Sequence, residues 1–147
     1  MRPNIQRTIL GGLVGTIVLT MLMYIAAPMM GIAKMDIAGM LGSMLGGWTV
    51  GMLIHFVNGV VLFPLVYAFL LFSRLRGTPV IKGMFWGVTL WLVAGLMVMP
   101  VMGAGFFGTA NGGVMAAAAS LVGHIGYGAL LGVIAGGPAR RLEQAAA

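Results

Sequence analysis

The chain has 147 residues, 61% of them hydrophobic and 7% charged, with no cysteine, a net charge of +6 and a mean hydropathy of +1.09. An ordinary soluble domain carries about 25% charged residues, so this composition describes a single transmembrane domain over residues 1–147, with no length left for a soluble one. Disulfides, thiolate metal sites and cysteine nucleophiles are excluded, and Asp36 and Glu143 are the only carboxylates.

Four apolar runs, near residues 8–33, 47–73, 80–105 and 113–136, each exceed the roughly 20 residues that a helix needs to cross a bilayer. The first follows Arg2 and Arg7 as a signal peptide would, but it outruns the roughly 7 to 15 residues of an apolar signal core and reads as a retained span. Next comes "KMDIAGMLGSMLGG", where Ile37, Met40, Leu41, Met44 and Leu45 recur at helical spacing behind Asp36, a good N-cap. This predicts a short interfacial helix. Trp48 then opens the second span, within which Pro64 removes the donor to the Val60 carbonyl, while Pro28 and Pro100 mark kinks or ends in the first and third spans. The basic turn "SRLRGTPVIK" leads to the third span, and "GFFGTANGG" to the fourth, with Trp48, Phe106 and Phe107 suited to anchor at the outer interface. Gly136, Gly137 and Pro138 form a helix stop before the tail.

Lysine and arginine set the direction. Arg2, Arg7, Arg74, Arg76, Lys82, Arg140 and Arg141 fall on one side and Lys34 on the other, which predicts cytoplasmic N and C termini. The basic charge therefore follows topology and implies no nucleic-acid partner. The alanine, glycine and arginine bias suggests a bacterium, hence its inner membrane.

The first and third spans align without gaps: Gly11, Gly15, Pro28, Met30 and Gly31 return 72 positions later as Gly83, Gly87, Pro100, Met102 and Gly103. The second and fourth align at an offset of 69, where "HFVNG" faces "HIGYG" and Gly51 faces Ser120. Repeat one covers about 8–74 and repeat two about 80–137. With two spans each, the halves share one orientation, and the fold expected is an all-α four-helix membrane bundle with a pseudo-twofold axis along the membrane normal. Gly11, Gly15, Gly83, Gly87, Ser120 and Gly132 are the predicted helix-packing positions.

That axis puts His55 and His124 at one depth. His55 lies on the small-residue row Gly47, Gly51 and Gly59, and His124 on Ala116, Ser120, Gly128, Gly132 and Gly136, so both imidazoles are directed into the bundle. One reading makes them axial ligands of a b-type haem, with Gly51, Gly59 and Gly128 admitting the porphyrin. A second makes His55 with Asn58, and His124 with Tyr127, hydrogen-bonding glue between helices. A third takes Met29, Met30, Met97, Met99, Met102 and Met115, with the imidazoles, as a soft set for Cu(I), against methionine as plain gap filler. Ser120 lies one turn before His124, like a nucleophile beside its base, but no acid stands near to orient the ring, and catalysis is not expected.

The glycine-paired helices, "PMMG", "PVMGAGFFG", "HFVNG" and "GHIGYG" resemble a family of small bacterial four-helix membrane proteins of unknown function. The resemblance implies four spans and no functional residue. Two readings follow from the residues: a non-catalytic accessory subunit packed among other integral membrane subunits of a respiratory or photosynthetic complex, or a haem-carrying electron-transfer subunit. A homo-oligomer within the lipid bilayer is the other partner arrangement expected.

Overall fold

The structure, a computed structural model, describes residues 3–136, and these form five helices and no strand. Arg2, Gly137, Pro138, Arg140, Arg141 and Glu143, used in the topology and helix-stop readings, lie outside the described residues. The helices are α1 (Ile5–Met29), α2 (Ile37–Ser43), α3 (Trp48–Leu71), α4 (Pro79–Val101) and α5 (Thr109–Gly136). All but α2 are long and apolar enough to cross a membrane. Side chains start three of them: Asn4 Oδ1 accepts the Arg7 N–H at 3.1 Å, Asp36 Oδ1 accepts that of Gly39 at 3.0 Å, and Thr78 Oγ1 accepts that of Ile81 at 3.4 Å. A 3₁₀ turn at Phe106–Gly108 precedes α5, which bends at Gly113, where φ is +63°.

Proline shapes the spans through one recurrent device. The turns Leu22–Ala26, Asn58–Leu62 and Ala94–Val98 are π-helical, and each begins six residues before a proline: Pro28, Pro64 and Pro100. A proline ring lacks an N–H and clashes with the carbonyl four residues back, and the wider turn relieves both without breaking the span. α5 has no proline and no π turn, and a fourth π turn, Tyr67–Leu71, ends α3 without a proline at that spacing. Positions 72 apart also carry the same backbone. Met30 and Met102 end their spans at φ −91° and −85°, Gly31 and Gly103 follow at φ +75° and +74°, and Ile32→Ala27 and Ala104→Met99 hydrogen bonds close both ends at 2.9 Å.

The packing is less symmetric than the backbone. Of the most apolar stretch of each span, 39% is buried in α5 and 22% in α3, so α5 is the central helix and α3 the peripheral one. A Cβ at Gly83 would strike the Gly128 carbonyl, and one at Gly87 the His124 carbonyl, so α4 and α5 meet backbone to backbone. Gly11 and Gly15 also rest on α5, against Leu131 and Tyr127, while α1 touches α3 through Gly12, which sits on Pro64 and the Gly59 carbonyl. A strict twofold axis would instead have set Gly11 and Gly15 on α3. The departure has a local cause: Gly12 is replaced by Met84 in repeat two, and α2 has no counterpart there.

α2 is fixed at its first turn. Asp36 Oδ1 accepts from the Tyr24 hydroxyl of α1, from Gly39 N–H and from Trp48 Nε1 at 3.1 Å, while Lys34 Nζ lies 4.6 Å from the centre of the Tyr24 ring. Burial pushes the Asp36 carboxyl up, but these donors and the Lys34 charge outweigh it and hold its pKa below the usual carboxylate value. Trp48 is therefore tied to this clamp although half its surface is exposed, whereas Phe107 turns inward at φ +54° and stacks on Trp91, ring centres 4.3 Å apart. Only Phe106 of the two phenylalanines is left exposed as an anchor.

Two outcomes follow. Gly83→Val puts a branched side chain against backbone that cannot move aside, and overpacking of this kind costs about 1–3 kcal/mol, so the thermal midpoint in detergent should fall clearly. Gly126→Ala, with open space at the Cβ, should leave it unchanged in the same melt. Because the folded-state pKa of Asp36 is depressed, its contribution is complete above the unfolded value of 3.8 and is lost as pH falls through the lower folded value. Trp48 fluorescence should hold steady from pH 7 to 5 and change only under stronger acid, and Asp36→Asn should show the acid spectrum already at pH 7.

Candidate functional site

His55 stands on α3 with its Nε2 3.0 Å from Thr20 Oγ1 of α1. The Thr20 hydroxyl has one hydrogen, which goes to the Thr16 carbonyl at 2.7 Å, so it must accept at His55: Nε2 carries the proton, and Nδ1 keeps its lone pair. On α5, His124 Nδ1 lies 2.8 Å from the Ser120 carbonyl. A carbonyl only accepts, so here Nδ1 is protonated and Nε2 holds the lone pair. The Ser120 hydroxyl is a poorer 3.4 Å from the same Nδ1.

Both rings line one cavity of about 130 Å³ inside the bundle. Asn58, Met23 and Met99 share its wall, and Ile37 and Leu41 of α2 close it at the Asp36 end. The clamp on Asp36 thus positions the roof of the cavity.

Beneath it, Tyr127 crosses from α5 to α3, its ring seated in the notch at Gly15 and its hydroxyl donating to the Gly59 carbonyl at 2.7 Å. The bond answers a need made by the proline. Phe63 N–H bonds to Asn58 across the π turn and Pro64 has no N–H, so the Gly59 carbonyl lacks both its α-helical and its π-helical donor. The π turn moves the vacancy expected at Val60 back by one residue, and a phenol from another helix fills it.

Of the remaining residues singled out in the sequence, Gly59 and Ser120 line the cavity and the others are dispersed. Gly51 faces away from the cavity, under the Ala38 carbonyl of α2; the Cβ side of Gly59 is filled by Thr16; Gly128 and Gly132 are filled by Gly83 and Pro79 of α4. The space proposed for a porphyrin is therefore occupied by backbone, and the cavity falls below the roughly 300–1,000 Å³ of usual cofactor pockets. The free nitrogens suit axial ligation, but a macrocycle does not fit between them. Of the methionines read as a soft cluster, Met29, Met30, Met97 and Met115 are exposed, and Met99 alone reaches the cavity. Among the described residues no three of His, Cys, Asp or Glu converge as a metal cage. Thr16, Thr20 and Met23 were overlooked in the sequence. The two threonines stand four apart on the face that carries Gly12, which was the available signal.

Fold and site define an all-helical four-span bundle around a small histidine-lined cavity. The chain belongs to a family of unknown function, DUF6789, whose family model matches residues 3–145. No curated protein and no solved structure matches it.

Tyr127→Phe should cost about 1–3 kcal/mol, the penalty for stranding a buried acceptor, read as a fall in thermal midpoint. Pro64→Ala restores an N–H to α3. In a double-mutant cycle Tyr127→Phe should then cost measurably less, and equal costs in both backgrounds would refute the account.

Proposed function

We propose that the protein is a non-catalytic integral protein of a bacterial inner membrane, with both termini cytoplasmic, serving as an accessory subunit beside a larger respiratory or photosynthetic assembly. The observation that carries this reading is the use made of polar groups inside the spans. Thr8, Thr16 and Thr20 donate to carbonyls one turn back on α1, His55 ties α3 to α1, and Tyr127 ties α5 to α3. The threonine bonds satisfy hydroxyls within α1, and the other two hold helices together. Nδ1 of His124, the nitrogen nearest the Ser120 hydroxyl, is already protonated toward the Ser120 carbonyl and cannot act as a base on that hydroxyl.

Orientation rests on charge: Arg7, Arg74, Arg76 and Lys82 mark one end of the spans and Lys34 the other. Laterally, the peripheral α3 exposes Leu53, Val57 and Phe69, a face open to lipid or to a neighbouring subunit.

Native membranes solubilised in digitonin test the subunit role. The chain should migrate with a complex far heavier than its own 15.3 kDa, and deleting it should lower the yield of that complex while the remaining complex keeps its turnover. Migration as a free monomer or homo-oligomer would refute the role. The spectrum should stay featureless before and after dithionite, and a Soret band lost in His55→Ala would instead establish a haem carrier.

A further inference from the structure

The histidine cavity adjoins a second hollow. An open crevice of about 270 Å³ lies between α1 and α5, and Met23 and Ser120 line both hollows. Apart from Ser120 the crevice is wholly apolar, with Ala26, Met30 and Ala119 among its walls. The partition is thus a hydroxyl and a methionine side chain, which has three torsions with which to move aside.

The two hollows differ in chemistry. The two histidines bring acceptors to the cavity, because the Thr20 hydroxyl and the Ser120 carbonyl each fix one ring nitrogen as a donor and leave the other as a lone pair, and the Asn58 amide is the donor on the same wall. Its volume suits a single six-membered ring, since an engineered apolar cavity of about 150 Å³ holds benzene. The crevice suits a hydrocarbon tail reaching in from the lipid.

We infer that the two hollows together bind a quinol-type lipid, its dihydroxy ring in the cavity and its tail in the crevice. The ring hydroxyls donate to Nδ1 of His55 and Nε2 of His124, which reach the cavity from two helices at corresponding positions of the two repeats. Redox preference follows from the fixed tautomers. The reduced ring brings two donors that pair with both imidazoles, whereas the oxidised ring brings only carbonyl oxygens, which can take the Asn58 amide but leave both lone pairs unanswered. Thr20 is a positioning residue that acts through His55. The inference concerns binding alone, goes beyond the accessory role, and stands whether or not a larger complex holds the chain.

The full chain in phosphatidylcholine nanodiscs would be titrated anaerobically by calorimetry with decyl-1,4-hydroquinone, with its oxidised benzoquinone form, and with tail-less 1,4-hydroquinone. One saturable decyl-hydroquinone site is expected, with the quinone weaker by roughly tenfold, about the worth of two modest hydrogen bonds. His55→Phe and His124→Phe should each weaken the quinol several-fold and bring the two redox forms toward equal affinity. Thr20→Val should reduce the preference while leaving quinone binding unchanged. Ala119→Phe, which fills the crevice, should weaken decyl-1,4-hydroquinone without affecting the tail-less ring. Each variant is compared only if it elutes and melts like the parent. The inference fails if no saturable quinol binding is seen, if the parent binds both redox forms equally, or if the preference survives in both histidine variants. It fails equally if one Cu(I), supplied from a bathocuproine buffer, excludes the quinol and is lost in Met23→Leu or Met99→Leu, which would make the cavity a soft-metal site.

Discussion

In a bilayer every backbone N–H and carbonyl must be satisfied by protein, and three prolines within the spans make that requirement the governing constraint of this molecule. A π turn before each proline preserves the helix but moves the missing bond, and at Pro64 it leaves the Gly59 carbonyl without a backbone donor. The Tyr127 hydroxyl supplies one from α5. For that phenol to reach α3, α1 must offer a notch, which is Gly15, and α5 must lie close to both helices. The placing of the central helix is thus tied to one carbonyl on the peripheral helix.

The other contacts of α5 follow the same economy of side chains. In lipid there is little hydrophobic gain from bringing helices together, so close van der Waals approach carries the association. Gly83 and Gly87 of α4 and Gly128 and Gly132 of α5 provide it with nothing but backbone between the helices. Gly128, one turn after His124, is consumed by this contact. What remains beside the histidine is a ring-sized hollow, held open by Asn58, Met23 and Met99 and roofed by α2.

The polar chemistry of that hollow is decided by neighbours. A histidine presents a donor or an acceptor according to which nitrogen its partner claims. Here the Thr20 hydroxyl, already donating to Thr16, claims the Nε2 proton of His55, and the Ser120 carbonyl claims the Nδ1 proton of His124. Two imidazoles that correspond in the repeats therefore keep their lone pairs on opposite nitrogens, and both rings line one cavity that shares Met23 and Ser120 with the apolar crevice.

Much of this was legible in the residues. Hydropathy gave the spans because the bilayer imposes a length on any run that crosses it, and the N-cap at Asp36 is a local hydrogen bond that needs no tertiary context. The offset of 72 that relates Pro28 to Pro100 also relates their π turns, since each turn is a short-range response to the proline that follows. The two histidines stood out because an ionisable side chain in a span is costly. What the residues could not state is which neighbour each small or polar group would meet. Gly11 and Gly15 pack on α5, not α3, because Gly12 and α2 exist in one repeat only, and Gly128 admits α4 where it could have admitted a cofactor. Thr16, Asn58 and Met23 lie far from His124 along the chain, and only the packed bundle brings them to one cavity. The sequence by itself determined the spans and their local turns, which depend on a few adjacent residues and on the solvent. Tertiary structure decided the pairing of faces, the histidine tautomers and the size of the hollow, because these depend on contacts between segments that meet only after the helices pack.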